Sequence, residues 1–266
     1  MSDGNSMQIR ATAAAPGFIP ACGDEGKPIS VTSKDSIRSA LERQGFAVVH
    51  DVLSRQAVDE LIARIKILSI DNLTTHSGYA MRHLVRSVPA IRELAENAAV
   101  RDLIEPLLGP SAFVARSIFF DKTPDANWKV AWHQDLTIAV RKKVEVDGYT
   151  AWSVKEGIVH VQPPVSVLEE MVTVRLHLDD CGPENGPLQV IPKSHNTGRL
   201  TGEQISTWRA QGKPLACVVP RGGALLMRPL LLHASSPATA PMHRRVVHLE
   251  FACDPLPGGL EWEACV

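Results

Sequence analysis

Neither sign of charge predominates in this 266-residue chain, where 28 Lys and Arg stand against 29 Asp and Glu, for a formal charge of -1 and a pI near 6.8. Such a balance supplies no global field to draw in a phosphate backbone, so a nucleic-acid partner is not expected. Cysteine is sparse as well. Cys22, Cys181, Cys217, Cys253 and Cys265 form no CxxC pair and are odd in number. That argues against a disulfide framework and for a reduced protein, with the cytoplasm as the expected compartment. No apolar run approaches the ~20 residues that span a bilayer. The first residues show no basic segment followed by an apolar one, so neither a membrane location nor secretion is expected. The chain also lacks an internal repeat and any signature of coenzyme A binding.

What is present is the composition of a protein with a real core: 44% hydrophobic and 21% charged residues. Residues 1–32 are rich in Ala, Gly, Pro and Ser without a sustained period and read as a flexible leader. Residues 33–266 are expected to form one domain, since all-β units often reach this size. Residues 36–41 suggest a short helix closed by Gly45, followed by a strand over 46–49. Ser54 suits an N-cap, and Val58, Leu61, Ile62 and Ile65 behind it make one helical stripe. A helical pattern over 89–108 stops at Gly109-Pro110. Short β-rich runs then follow at 113–120, 128–135, 172–178, 188–191, 216–219, 224–227 and 246–251, separated by turn residues, as in a sandwich or barrel. The interval 137–170 looks strand-poor and reads as a lid, with Trp152 within it and Pro163-Pro164 near its end.

Chemistry concentrates in a few of these runs. Residues 128–135 alternate, so His133 and Asp135 project from one face of one strand and can converge on an ion. A third ligand must come from elsewhere, and the apolar stretch 227–233, ending in His233 before small residues, is the best candidate. His243 and His248 compete with it, one in a turn and one starting a strand. Two His and one carboxylate leave three positions open on the metal, the facial triad of non-haem iron(II) oxygenases. Those positions can take a bidentate 2-oxo acid and O2.

The far carboxylate of such an acid needs a partner, and the planar fork of Arg suits it. Arg244 follows His233 by eleven residues, within reach of a hairpin return, and Ser235 can add a hydroxyl donor. Arg245 is the rival, but neighbours on a strand face opposite sides. Thr173, Arg175, His177 and Asp179 alternate with Val172, Val174, Leu176 and Leu178. Their polar face either meets water or lines the cavity, with Arg175 available to an anion. Arg82, Arg116, Lys122 and Trp152 are candidates for a substrate or cosubstrate pocket, against ordinary surface roles. His195 reads as structural. Arg141-Lys142-Lys143 reads as a solvated face, or as a basic lip that attracts an anionic substrate.

The HxD…H…R set carries Gly186-Pro187-Leu188-Gln189-Val190-Ile191-Pro192-Lys193-Ser194-His195 between its halves. Asp121-Lys122-Thr123-Pro124 precedes it, and residues 244–251 close it. Together these stretches, spanning roughly 35–252, resemble the phytanoyl-CoA dioxygenase family. The resemblance implies a mainly β (α+β) fold: a double-stranded β-helix, or jelly-roll (cupin-like) barrel, with N-terminal helices packed outside. It implies Fe(2+) as metal, 2-oxoglutarate and O2 as cosubstrates, and ascorbate as a candidate reductant. Succinate and CO2 are released while an unactivated C–H of a small organic substrate is hydroxylated. The family's metal ligands carry over to His133, Asp135 and His233, its 2-oxoglutarate arginine to Arg244, and its serine to Ser235. Many relatives have an aromatic near the cosubstrate where this chain has Arg175. Because Asp135 fills the position that halogenating relatives leave to a small residue, hydroxylation is the leading outcome, with desaturation or ring chemistry still open. The substrate is expected to be a small molecule, with an anionic group as a candidate feature, and the protein a monomer or homodimer. Two other readings stay open: a zinc hydrolase using the same three ligands, and a non-catalytic small-molecule-binding module.

Overall fold

The computed structural model describes residues 33–72, 80–82 and 84–266, with the side chains of 67–72 excepted. The leader expected over 1–32 lies outside the described residues. Helix α1 (Lys34–Gln44) starts where the Ser33 hydroxyl accepts the Ser36 amide at 3.2 Å, and it ends at Gly45, whose φ of 87° only glycine adopts without strain. Strand β1 (Phe46–Val49) follows, then α2 (Arg55–Asn72), whose Ala57 amide donates to Ser54 Oγ at 3.1 Å. The stripe Val58, Leu61, Ile62 and Ile65 is buried as its spacing predicts. After β2 (Ala80–Arg82) and α3 (Leu84–Ser87), the helical pattern at 89–108 divides into α4 (Pro89–Glu96) and α5 (Ala98–Leu108). The break falls at Asn97, with extended backbone, because its side chain serves better as a cap, accepting the Ala99 amide at 2.9 Å.

The β-rich part begins with β3 (Phe113–Lys122) and β4 (Val130–His133). Next come β5 (Ile138–Val140), β6 (Thr150–Lys155), β7 (Ile158–Gln162), α6 (Val165–Glu169) and β8 (Val172–His177). The chain finishes with β9 (Leu188–Val190), α7 (Gly202–Gln211), β10 (Leu215–Cys217), β11 (Ala224–Met227), β12 (His233–Ser235) and β13 (Arg244–Ala252). Three antiparallel sheets result. Their orders are β1-β11-β8-β13-β3-β2, β10-β9-β12-β4 and β5-β7-β6. From β3 onward the chain passes repeatedly between the first two sheets, which is the topology of a double-stranded β-helix, or jelly roll.

Alternation decides what each face of the six-stranded sheet does. One face presents Val172, Val174, Leu176, Ala224, Leu226, Val247, Leu249 and Phe251, packed in one cluster with Leu41, Ile62, Ile91 and Ile104 of the helices. Each buried Val, Leu, Ile or Phe among them stabilises the fold by roughly 1.5–3 kcal/mol. The other face turns toward the four-stranded sheet. Its β1–β11 end is apolar, with Val48, Leu225 and Met227 against Leu188, Val190 and Leu231. Its β8–β13–β3 end is polar yet buried: Thr173, Arg175, His177, Arg244, His248 and Glu250 are all sequestered. The polar face of β8 therefore lines the interior rather than meeting water.

The interval 137–170 is not strand-poor. It builds the third sheet, because Thr150, Val154, Val159 and Val161 are β-branched and Glu156-Gly157 forms a tight turn with φ of 51° and 80°. Ile138, Val140, Tyr149, Val161 and Leu168 give it an apolar cluster shared with Leu260 and Trp262. The base is tied to the C-terminal segment, where the Arg141 amide donates to the Glu261 carbonyl at 3.0 Å and the Glu263 amide to that of Ala139 at 3.1 Å. Among the described residues no helix is long and apolar enough to cross a membrane, and Cys181, Cys217, Cys253 and Cys265 are free thiols.

Leu226 is fully buried between sheet and helices, so Leu226→Ala should cost ~2–5 kcal/mol in urea denaturation. Val154, 67% exposed, should shift stability by less than about 0.5 kcal/mol when changed to Ala.

Candidate metal centre

Strand pairing sets the centre. β12 lies antiparallel to β4 with His233 directly opposite His133, and the two rings stand 4.2 Å apart between centroids. Past the end of β4, the Asp135 amide donates to the Pro229 carbonyl at 2.9 Å, which anchors the chain beside the turn leading into β12. Nδ1 of His133 lies 2.8 Å from the Ala131 carbonyl, and Nδ1 of His233 lies 2.8 Å from the Leu231 carbonyl. A carbonyl only accepts, so each Nδ1 carries the proton and each Nε2 keeps a free lone pair. Asp135 Oδ1 is 3.8 Å from His133 Nε2, and Oδ2 is 3.7 Å from His233 Nε2. The three ligand atoms all lie within 4.8 Å of one another, a donor set that could hold one ion.

The charge states suit a cation. Burial pushes His233 down to about 4, which keeps it neutral and ready to ligate. Burial alone would raise the Asp135 carboxyl, but His233, His248, Arg116 and His133 around it hold it well below the usual carboxylate range. Asp135 Oδ2 is buried and accepts no hydrogen bond among the described residues, an unmet need that a metal ion at this point would satisfy. The His133 side chain remains 40% exposed against 5% for His233, so the centre opens on the His133 side.

Beside it two buried cations meet at one hydroxyl. Arg244 is buried, donates from Nη1 to the Gly186 carbonyl, and lies 3.4 Å from Ser235 Oγ; its Nε has no partner. Lys122 sits opposite Arg244 in the β3–β13 register and is 1% exposed. Its Nζ donates to Ser235 Oγ at 2.9 Å and to the Ser236 carbonyl at 2.8 Å. Burial pushes Lys122 down to about 8, so it keeps its proton at neutral pH. Gly186 is required where it stands: its φ is +57°, and a Cβ there would lie 2.6 Å from the Ser236 carbonyl oxygen.

The remaining candidates fall into place around these two features. Arg245 points the other way and grips Asp179, with Nη2 2.5 Å from Oδ1. His243 is an exposed partner of Asp121 at 3.0 Å. His195 is buried against the Glu42 carbonyl at 3.3 Å, a packing role. Arg82 on β2 pairs with Glu156 at the β6–β7 turn. Trp152 packs into the apolar cluster of the third sheet, with the Lys143 ammonium 5.7 Å from its ring centroid. Arg141, Lys142 and Lys143 are exposed. Sequence reasoning missed Glu250 and the Gly186 carbonyl. Arg244, His248 and Glu250 do recur at even positions of β13, a period that would have pointed to Glu250.

The fold and the two features are those of a jelly roll with a candidate metal centre beside a group of buried cations. Residues 41–246 match the family described as phytanoyl-CoA dioxygenase (PhyH), and the chain belongs to that family. It is similar to ectoine dioxygenase of Sphingopyxis alaskensis, 26% identical over 173 residues, or 60% of this chain and 49% of the relative. The match thus spans about half the length of that curated protein. Among solved structures it is similar to EctD from S. alaskensis with 2-oxoglutarate and 5-hydroxyectoine, at TM-score 0.64 and 20% identity over 86% of this chain and 83% of that one. It is similar also to the epimerase SnoN in complex with Fe3+, alpha ketoglutarate and nogalamycin RO, at TM-score 0.63 and 16% identity over 85% and 91%.

Burial holds His177, His233 and His248 below the ordinary histidine value of 6.5. Between 6.5 and the His233 value of about 4 the unfolded chain binds protons that the native state refuses. The metal-free protein should therefore lose stability as pH falls through that window, and Asp135 adds a loss in the same direction at lower pH. Thermal unfolding midpoints from about pH 7 to about pH 4.5 measure this; a flat profile would contradict it.

Proposed function

We propose that this protein is an iron(II)- and 2-oxoglutarate-dependent dioxygenase that hydroxylates an unactivated C–H bond of a small organic substrate. The observation that carries the reading is the triad of His133, Asp135 and His233 beside buried Arg244, Ser235 and Lys122, whose cations pair with no carboxylate among the described residues. In this reading the triad holds iron. Iron bound there couples oxidative decarboxylation of 2-oxoglutarate by O2 to oxygenation of the substrate, leaving succinate and CO2. A zinc hydrolase would use the same three ligands but would leave the three-residue pocket without a purpose.

The work of the chain is orientation and exclusion of water. Arg244 and Ser235 bind the far carboxylate of 2-oxoglutarate, Arg244 with the fork that suits carboxylate geometry and Lys122 with added positive charge. This sets the keto-acid end toward the triad. The apolar wall of Leu188, Val190, Leu225 and Leu231 keeps water from that side. The substrate enters beside the exposed His133. The β6–β7 hairpin is the lid, with Glu156 at its tip held by Arg82 across the opening. Arg82 is then a residue an anionic substrate would meet on entry, with Trp152 supporting the hairpin. The curated relative, ectoine dioxygenase, supports a small-molecule substrate. The intact Asp135 leaves no ligand position for halide, which favours hydroxylation. Free thiols fit a reducing compartment, so the cytoplasm is the proposed location.

Anaerobic addition of Fe(II) and 2-oxoglutarate should produce the visible charge-transfer band of a chelated iron site, and oxygen with substrate should release succinate. His133→Ala should abolish both signals. Arg244→Ala should raise the concentration of 2-oxoglutarate needed by ~10-fold or more, the loss of a charge-assisted bond. A folded, metal-loaded wild type without the band would sink the proposal in favour of the hydrolase or the binding module.

A further inference from the structure

Lys122, Arg175 and Arg244 are buried cations, and none pairs with a carboxylate among the described residues. Lys122 and Arg244 share Ser235. Arg175 stands apart from them on β8, directly opposite His248 of β13. Its Nη1 donates to His248 Nδ1 at 2.7 Å. That nitrogen therefore has no proton, so His248 carries it on Nε2 and donates to Glu250 Oε1 at 3.0 Å. Arg116 in turn donates to the same Glu250 oxygen, from Nε at 2.9 Å. The Phe120 ring centroid lies 5.4 Å from the Arg175 guanidinium carbon.

His248 and Phe120 thus hold the guanidinium, with Glu250 and Arg116 behind His248, yet its Nε has no partner among the described residues although Arg175 is only 8% exposed. A buried donor left free in so constrained a group implies a ligand that completes it. The position says which. His248, Glu250 and Asp135 have ligand atoms within 4.8 Å of one another, so Arg175 is one side chain removed from the metal centre. The centre opens on the His133 side, whereas Arg175 lies on the buried floor formed by β8 and β13. The anion that reaches it is therefore the deeply bound cosubstrate rather than a substrate at the opening.

We propose that Arg175 binds the metal-side carboxylate of the 2-oxo acid, while Arg244, Ser235 and Lys122 bind the far one. The inference rests on the oxygenase reading above and adds to it a second anchor for the cosubstrate. Each carboxylate of the dianion then meets its own buried cation, and the His248–Glu250–Arg116 chain orients Arg175 before the acid arrives. Arg175 is a binding residue, and His248 is a positioning residue that acts through it.

The test titrates two acids into Fe(II)-loaded protein without oxygen, reading the charge-transfer band. One is 2-oxoglutarate; the other is 2-oxovalerate, which keeps the 2-oxo acid end but has no far carboxylate. Arg175→Gln should weaken both acids by at least ~10-fold, the loss of one charge-assisted bond. Arg244→Gln should weaken 2-oxoglutarate alone. Arg175→Lys should recover part of the loss for both acids. Unchanged affinity of Arg175→Gln for 2-oxovalerate overturns the proposal. Should Arg175→Gln fail to fold or to retain iron, Arg175→Lys against wild type carries the same comparison: a parallel loss for both acids supports the assignment, and a loss confined to 2-oxoglutarate overturns it. Absence of the band in wild type with either acid would overturn the oxygenase reading itself, an outcome distinct from those of the variants.

Discussion

Everything at the centre depends on the register that sets His233 of β12 opposite His133 of β4. Two imidazoles on adjacent antiparallel strands approach closely, and each is oriented by the carbonyl two residues before it. Those hydrogen bonds decide the tautomer, and the tautomer decides whether Nε2 can ligate. A slip of one residue in either strand would turn its histidine to the opposite face and dissolve the donor set. The same register carries Ser235 past His233 to where Lys122 and Arg244 meet it from the other sheet.

The second constraint is electrostatic. Burying Lys122, Arg175 and Arg244 without counterions costs several kcal/mol per ion, even after local hydrogen bonds are counted. Burial lowers all three below their ordinary values, the expected response of cations short of solvent. Arg116 shows the contrast: burial pushes it down, but Glu250 and Asp135 together outweigh that and raise it. The uncompensated cations are tolerable because the helices and both sheets bury a large apolar surface elsewhere. A dianionic ligand would return part of the cost on binding and stabilise the folded state.

The two faces of the six-stranded sheet divide these tasks. Its helix-covered face is uniformly apolar and supplies stability, while its interior face alternates into Thr173, Arg175, His177, Arg244, His248 and Glu250 and supplies the site. The β6–β7 hairpin is set on a base tied to the C-terminal segment, and its tip reaches Arg82 on the edge strand β2.

Much of this was legible in the residues alone. Alternation placed His133 with Asp135, a short offset placed Ser235 near His233, and the resemblance to a known family added the jelly roll. Local chemistry also marked the caps Ser33 and Ser54 and the buried stripe of α2, because side-chain hydrogen bonds and helical period are short-range. It went wrong where short-range signals were weak or competing: the strands of 137–170, which are held by pairing and a shared cluster with Trp262, and the break at Asn97, where capping outweighed helical period. The resemblance already assigned Arg244, and the structure turns it inward while Arg245 grips Asp179; only the tertiary structure decided that Lys122 reaches Ser235 and that Arg175 is locked by His248 with a donor left over. Those are contacts between strands far apart in the chain, and pattern along a sequence records which face a side chain takes but not what meets it there.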